Sequence, residues 1–205
     1  MPRLFVGVEL EPSVQEAVAA AADGLRTELR DGHIRIAARW VPQGHLHVTL
    51  FFIGESTGDR ARDVQAALAQ PFATPAFDIR LARLGAFPPS GVPRVFWIGL
   101  SSGVAEMAAL NAEVSARLAP LGCEPEGPAF ALTRFGAAGR PYSAHVTIAR
   151  VKDLQSRGHA PRIRRILEGL EADAGVSRVS AVTLFLSRLS PNGSVYEPLL
   201  RVPLR

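Results

Sequence analysis

Two short stretches constrain this chain more than any other part of it: His47-Val48-Thr49-Leu50 and, 98 residues on, His145-Val146-Thr147-Ile148. Each sets a His and a Thr two apart, interleaved with apolar residues. Strand side chains alternate between faces, so His47 and Thr49 share one face at a spacing of roughly 7 Å while Val48 and Leu50 point the other way into a core. The same holds for His145 and Thr147. A single His among β-branched residues is usually an ordinary strand residue; two of the chain's five histidines opening the same unit point instead to a pair.

The surroundings repeat as well. An alternating strand over Arg3 to Leu10 is followed by a helix entered at Glu11-Pro12-Ser13, whose Val14, Val18, Ala21, Leu25 and Leu29 form one stripe and which stops at Asp31-Gly32. An extended segment, Ile34 to Val41, leads to the His47 strand; a short helix follows with Ala61, Val64 and Leu68, then an alternating strand from Phe77 to Leu84. In the second part Arg94 to Leu100 resembles the opening strand, a helix carries Met107, Leu110, Val114, Leu118 and Leu121, and Phe130 to Phe135 and a Gly-rich loop precede the His145 strand. Ile163, Ile166, Leu167 and Leu170 mark a last helix, Ala181 to Leu186 a strand that echoes the one before Pro88, and Asn192-Gly193 a hairpin turn into Val195 to Val202. The matched elements are offset by 91, 98 and 105 residues. An internal duplication is expected, with repeat halves of roughly 1–92 and 93–205.

Duplication gives the two motifs a joint meaning. Two similar halves packed about an approximate twofold axis bring both His-Thr faces to one cleft, and a phosphate with oxygens on opposite sides suits such a cleft. In-line displacement at phosphorus needs a base for the attacking water and an acid for the departing alkoxide, and His serves in both forms near neutral pH. The Thr hydroxyls can donate to nonbridging oxygens. There is no Gly-rich phosphate loop with a Lys and no carboxylate cluster beside either His, so no cofactor or metal is called for.

Composition narrows the setting. With 205 residues, 47% of them hydrophobic, the chain can bury a full core, and no window approaches a membrane span. Cys123 is the only cysteine, which excludes an internal disulfide and favours a cytoplasmic location; a structural thiol is expected there. The net charge of +4 is modest, but 22 of the 23 basic residues are Arg, the better partner for bidentate phosphate contacts. An anionic partner such as RNA is compatible with this charge without being required by it.

The paired His-x-Thr-x units, the Trp40-Val41-Pro42 approach, the run Leu46-His47-Val48-Thr49-Leu50-Phe51-Phe52-Ile53-Gly54-Glu55 and the run His145-Val146-Thr147-Ile148-Ala149-Arg150 resemble the 2H phosphoesterase superfamily. Within it the match is to the bacterial and archaeal RNA 2',3'-cyclic phosphodiesterases, long catalogued as 2'-5' RNA ligases, and it covers nearly the whole chain. The resemblance implies a bilobal α+β fold over residues 1–205, two pseudo-symmetric lobes each with an antiparallel sheet flanked by helices, and the active-site cleft between them. It implies a metal-independent enzyme that opens 2',3'-cyclic phosphate ends of RNA to 2'-phosphates, reversible 2'-5' ligation being the same chemistry backwards. It implies His47 as proton donor, His145 as proton acceptor, and Thr49 and Thr147 as phosphate-binding residues; the sequence by itself leaves the two histidines equivalent.

Other residues are expected more loosely. By resemblance Arg150 neutralises the phosphate and Phe52 stacks on a base, yet each lies five positions after its His, where strict strand parity puts it on the opposite face. His45 shares the parity of His47 and is expected to line the cleft. A zinc site of His45, His47 and His145 is an alternative to metal-free chemistry. His33 and His159 are expected at the surface, and Arg162, Arg164 and Arg165 on a solvated helix face. A binding module for RNA ends without turnover, or an enzyme for another cyclic or 2'-5' linked nucleotide, are the other functions compatible with the same motifs. The chain is expected to act as a monomer without an obligatory protein partner.

Overall fold

The computed structural model of the chain describes residues 2–123, 142–190 and 193–205. Nine strands and four helices alternate along the described residues: β1 (Arg3–Glu9), α1 (Pro12–Asp31), β2 (Ile36–Trp40), β3 (His47–Glu55), α2 (Gly58–Leu68), β4 (Phe77–Phe87), β5 (Val95–Ser102), α3 (Val104–Leu118), β6 (His145–Leu154), α4 (Ala160–Gly169), β7 (Asp173–Val179), β8 (Ala181–Ser190) and β9 (Gly193–Pro203). The strands run in the order β7-β4-β5-β6-β3-β1-β8-β9, with β2 at the free side of β6. All these strand pairs are antiparallel.

The sheet is nearly two sheets. Its centre, between β3 and β6, is held by the single pair Val48 and Val146. One lobe is built of β3, β1, β8 and β9 with α2 and α3 packed outside; the other of β6, β5, β4, β7 and β2 with α1 and α4 outside. Each lobe therefore draws strands from both parts of the sequence: β8 and β9 complete the lobe of β1, and β4 and β2 complete the lobe of β5. The helix stripes account for the outer layers. Val14, Val18, Ala22, Leu25 and Leu29 of α1 and Met107, Leu110, Val114 and Leu118 of α3 are buried, and they join Leu4, Val6, Val8, Val48, Ile98, Val146 and Ile148 from the sheet in one continuous core. Leu25 and Met107 are completely covered. Burial of such side chains contributes roughly 1.5 to 3 kcal/mol each.

The pairing registers revise two details of the expected repeat. Gly7 lies opposite Thr49 and Trp97 opposite Thr147, so β1 and β5 correspond at an offset of 90 rather than 91. Phe185 lies opposite Phe5 and Phe87 opposite Val95, so β4 and β8 correspond at 98 rather than 105, the same offset as the two histidines. Strand β7 was not expected from the sequence. Its Asp-Ala-Gly-Val-Ser-Arg-Val run has low strand propensity, turns at Gly175 with φ +85°, and is made a strand by pairing with β4. The segment Phe130 to Phe135 and the Gly-rich loop after it lie outside the described residues. No helix among the described residues is long and apolar enough to cross a membrane.

Candidate active site

The two His strands meet at Val48 and Val146, which point into the core and are fully buried. Extending that register by one residue sets His47 opposite Thr147 and Thr49 opposite His145, so the four polar groups share the open face at the junction of the lobes. Both imidazoles are fixed in the same way. The Nδ1 of His47 donates to the carbonyl oxygen of His45 at 2.8 Å, and the Nδ1 of His145 to that of Ser143 at 2.7 Å. A carbonyl only accepts, so each ring carries its proton on Nδ1 and leaves Nε2 unprotonated toward the cleft. The Thr49 hydroxyl donates to the His47 Nε2 at 3.1 Å.

Their surroundings hold both rings neutral. Burial brings His47 down from 6.5 to about 4; the carbonyl of His45 opposes this, while the charges of Arg150, His145 and His45 add to it. His145 is lowered as well, by burial first and by Arg150, against the carbonyl of Ser143. Aromatic rings supply most of the dry wall. Phe5 stacks on His47 at 4.9 Å, Tyr196 stands edge-on to it at 5.4 Å, and Phe185 lies at 6.1 Å; on the other side Phe87 meets His145 edge-on at 5.1 Å and Trp97 lies at 6.3 Å.

Arg150 and Phe52 do not follow strict parity. In the β5–β6 pairing Phe96 faces Ala149 and Trp97 faces Thr147, which skips Ile148; in the β1–β3 pairing Val6 faces Phe51 and Gly7 faces Thr49, which skips Leu50. Each skip is a β-bulge that inserts one residue, so Ile148 and Ala149 are both buried, as are Leu50 and Phe51, and the next residue returns to the histidine face. Arg150 accordingly acts electrostatically on His47, His145 and Tyr196, and Phe52 packs against Phe5 at 6.0 Å.

His45 is not in the strand but ends a turn of 3-10 helix, Gln43–His45; its carbonyl orients His47 and its ring lies 4.9 Å from that of Tyr196. No group of three or more His, Cys, Asp or Glu side chains among the described residues is placed to hold a metal ion, so His45, His47 and His145 do not form the zinc cage considered above. His33 is exposed, whereas His159 is half-buried with its Nδ1 covered, against expectation, because it packs at the start of α4. Arg164 is also half-buried, its guanidinium donating to the carbonyls of Pro88 and Gly91. Cys123 is a buried thiol that accepts from Arg60.

Sequence reasoning missed three supports of the site. Tyr142 donates its hydroxyl to the carbonyl of Thr49 at 3.0 Å, tying the approach to β6 onto β3, and burial keeps that hydroxyl protonated. Asn111, on α3, donates to the carbonyl of Leu50 at 2.7 Å, at the bulge itself. Tyr196 reaches the site from β9. Nothing in a single sequence marks these; only the breaks in alternation at Leu50-Phe51 and Ile148-Ala149 were legible as bulge signals.

A two-lobed antiparallel sheet with one His-x-Thr unit on each central strand is the two-repeat fold of the 2H phosphoesterases. Known proteins define the group further. The LigT like Phosphoesterase family matches residues 11–97 and again 98–196, and this chain belongs to that family. An RNA 2',3'-cyclic phosphodiesterase of Aeropyrum pernix is 31% identical over 87% of this chain and 94% of its own, and one of Thermus thermophilus is 32% identical over 99% and 90%. The crystal structure of TT0787 of Thermus thermophilus superposes with a TM-score of 0.70 at 28% identity, covering 99% of this chain and 98% of that one. E. coli LigT complexed with 3'-AMP shares the fold, with a TM-score of 0.68 at 22% identity over 100% and 99% of the two chains.

Proposed function

We propose that this chain hydrolyses 2',3'-cyclic phosphate ends of RNA to 2'-phosphates by two-histidine acid-base catalysis, with no metal in the reaction. The observation that carries the reading is the matched pair of imidazoles, each with Nδ1 locked on a backbone carbonyl and Nε2 presented to one cleft from opposite lobes, in a family whose curated relatives bear that activity in their names. The reacting form holds one extra proton. His145 Nε2 takes a proton from water as its oxygen bonds to phosphorus; the bond from phosphorus to the 3' oxygen breaks; that oxygen takes the proton of His47 Nε2. Thr49 and Thr147 donate to nonbridging oxygens and Arg150 offsets their charge. Run backwards with a 5'-hydroxyl in place of water, the same steps give 2'-5' ligation.

The assignment of His47 as acid follows the family. A specific observation favours the opposite: burial depresses His47 to about 4 and Arg150 opposes its protonation, so the free protein gives it up as a proton donor at neutral pH. The family assignment requires the bound phosphate to restore His47. The first experiment supplies a short RNA ending in a 2',3'-cyclic phosphate in excess EDTA, identifies the product isomer, and includes His47→Ala and His145→Ala. A 2'-phosphate lost in both variants is the expected result. Recovery of turnover only on adding zinc overturns the mechanism, and no turnover under either condition moves another cyclic or 2'-5' linked nucleotide, or binding alone, to the front.

A further inference from the structure

Most arginines of this chain have an evident structural occupation: Arg80 and Arg178 bridge to Asp173 and Asp78, Arg117 to Glu113, and Arg201 to Glu9. Arg39 and Arg150 do not. They lie directly opposite each other in the β2–β6 pairing, both exposed, and neither has a carboxylate partner among the described residues. Directly opposed like charges on neighbouring strands repel, and a pair of guanidiniums kept this way is relieved when anions join it. The two are not equivalent in reach. Arg150 acts on both histidines and on Tyr196, while Arg39 acts on Tyr196 from one strand further out on the same face. A cyclic phosphodiester carries a single negative charge, which Arg150 is positioned to meet beside the histidines. That leaves the second guanidinium for a second anion, about one strand spacing of 4.7 to 4.9 Å further from the reacting phosphorus.

We infer that Arg39 is a specificity-determining residue that binds the phosphate on the 5' oxygen of the terminal nucleoside, so that the cleft holds two successive phosphates through Arg150 and Arg39. The inference deepens the function proposed above and rests on that reading for its substrate. The side-by-side guanidiniums make a terminal nucleotide that carries a 5'-phosphate, whether free or part of an RNA chain, a better ligand than a nucleoside 2',3'-cyclic phosphate alone.

The test separates this inference from the activity. Adenosine 2'-phosphate and adenosine 2',5'-bisphosphate are titrated calorimetrically into the wild-type protein, Arg39→Gln and Arg39→Lys. The wild type is expected to bind the bisphosphate about tenfold more tightly, the gain of one charge-assisted hydrogen bond. Arg39→Gln narrows that ratio toward one through loss on the bisphosphate, and Arg39→Lys, which keeps the charge, retains part of it. A wild type without preference, or an Arg39→Gln protein that weakens on both ligands alike, overturns the inference, the latter by assigning Arg39 to the reacting phosphate. Both readouts are equilibrium binding and stand whether or not the wild type opens cyclic ends, which a parallel turnover assay decides.

Discussion

Strands β3 and β6 carry the same unit, the same bulge and the same imidazole-to-carbonyl bond, but they are held by different means. The bulge of β6 leaves the Ile148 carbonyl free, and the backbone N–H of Val41, just past β2, fills it at 2.9 Å. The bulge of β3 leaves the Leu50 carbonyl free, and a side chain, Asn111, fills it. After the bulge, β6 presents Arg150 and β3 presents Phe52. His47 is walled by Phe5, Phe185 and Tyr196, and His145 by Phe87 and Trp97. The repeat thus preserved the reacting groups and diverged in what surrounds them: one side became cationic, the other aromatic. A reaction with one anionic centre and one base beside it needs that asymmetry even though its proton transfers are symmetric.

The sharpest way to break the comparison is to ask whether the two histidines are interchangeable. Replacing either by Ala is expected to lower turnover of a cyclic end by roughly 10²- to 10⁴-fold, the usual contribution of a positioned acid or base. A diester with a p-nitrophenolate leaving group needs no acid. If His47 is the acid, His47→Ala recovers most of its rate on that substrate and His145→Ala does not; the reverse pattern transfers the acid role to His145, as the proton affinities of the free protein favour. The free protein also fixes the pH dependence. An acid must be protonated, and both rings are depressed, so the basic limb of kcat/KM is expected below 6.5. The limb of kcat lies higher, because bound phosphate favours the protonated ring.

These asymmetries explain what the sequence could carry. The pair of His-x-Thr units, the helix stripes and the alternating strands are local patterns of period two or 3.6, and they were readable. The exchange of strands between lobes was not, because β8 reaches β1 and β4 reaches β5 through pairings distant in sequence. Arg150 and Phe52 sat at the boundary: strict alternation put them behind the sheet, and one inserted residue in each strand brings them to the front. Tyr142, Asn111 and Tyr196 act through single long-range hydrogen bonds or ring contacts, which leave no periodic trace.

A second difference between the sides is expected in stability against acid. The unfolded chain protonates His47 near 6.5, whereas the folded protein does so only near 4, so between these values the unfolded state binds the extra proton. Stability is therefore lost as pH falls from 6.5 to about 4 and changes little from this source below. The shift corresponds to on the order of 2 to 3 kcal/mol after discounting for the solvent that reaches the half-buried ring. His47→Asn, which keeps a donor for the His45 carbonyl but does not titrate, is expected to flatten that part of the profile in urea unfolding followed from pH 7 to pH 4. An unchanged slope would place the acid sensitivity elsewhere.

The supports of the two bulges should respond unequally. Asn111→Ala leaves the Leu50 carbonyl without its partner, at a cost of about 1 to 3 kcal/mol, and loosens Phe52 and Thr49 together. Val41→Ala keeps the backbone donor for Ile148 and is expected to cost less than that. If urea midpoints shift equally in the two variants, the bulges are held by packing and not by these carbonyl bonds.

The smallest expected effect sharpens the contrast between Phe52 and Arg150. Both follow their bulge onto the histidine face, but an aromatic ring recognises a base and a guanidinium recognises phosphate. Phe52→Leu preserves the apolar contact with Phe5 and removes the stacking surface, so affinity for adenosine 2'-phosphate is expected to fall by about 1 kcal/mol, the lower end for a base on an aromatic side chain. Inorganic phosphate, which has no base, should bind Phe52→Leu as it binds the wild type and should bind Arg150→Gln more weakly. A loss on both ligands in Phe52→Leu would show that the ring shapes the phosphate site through Phe5 and the stacked His47, making it part of the histidine wall instead of a base platform.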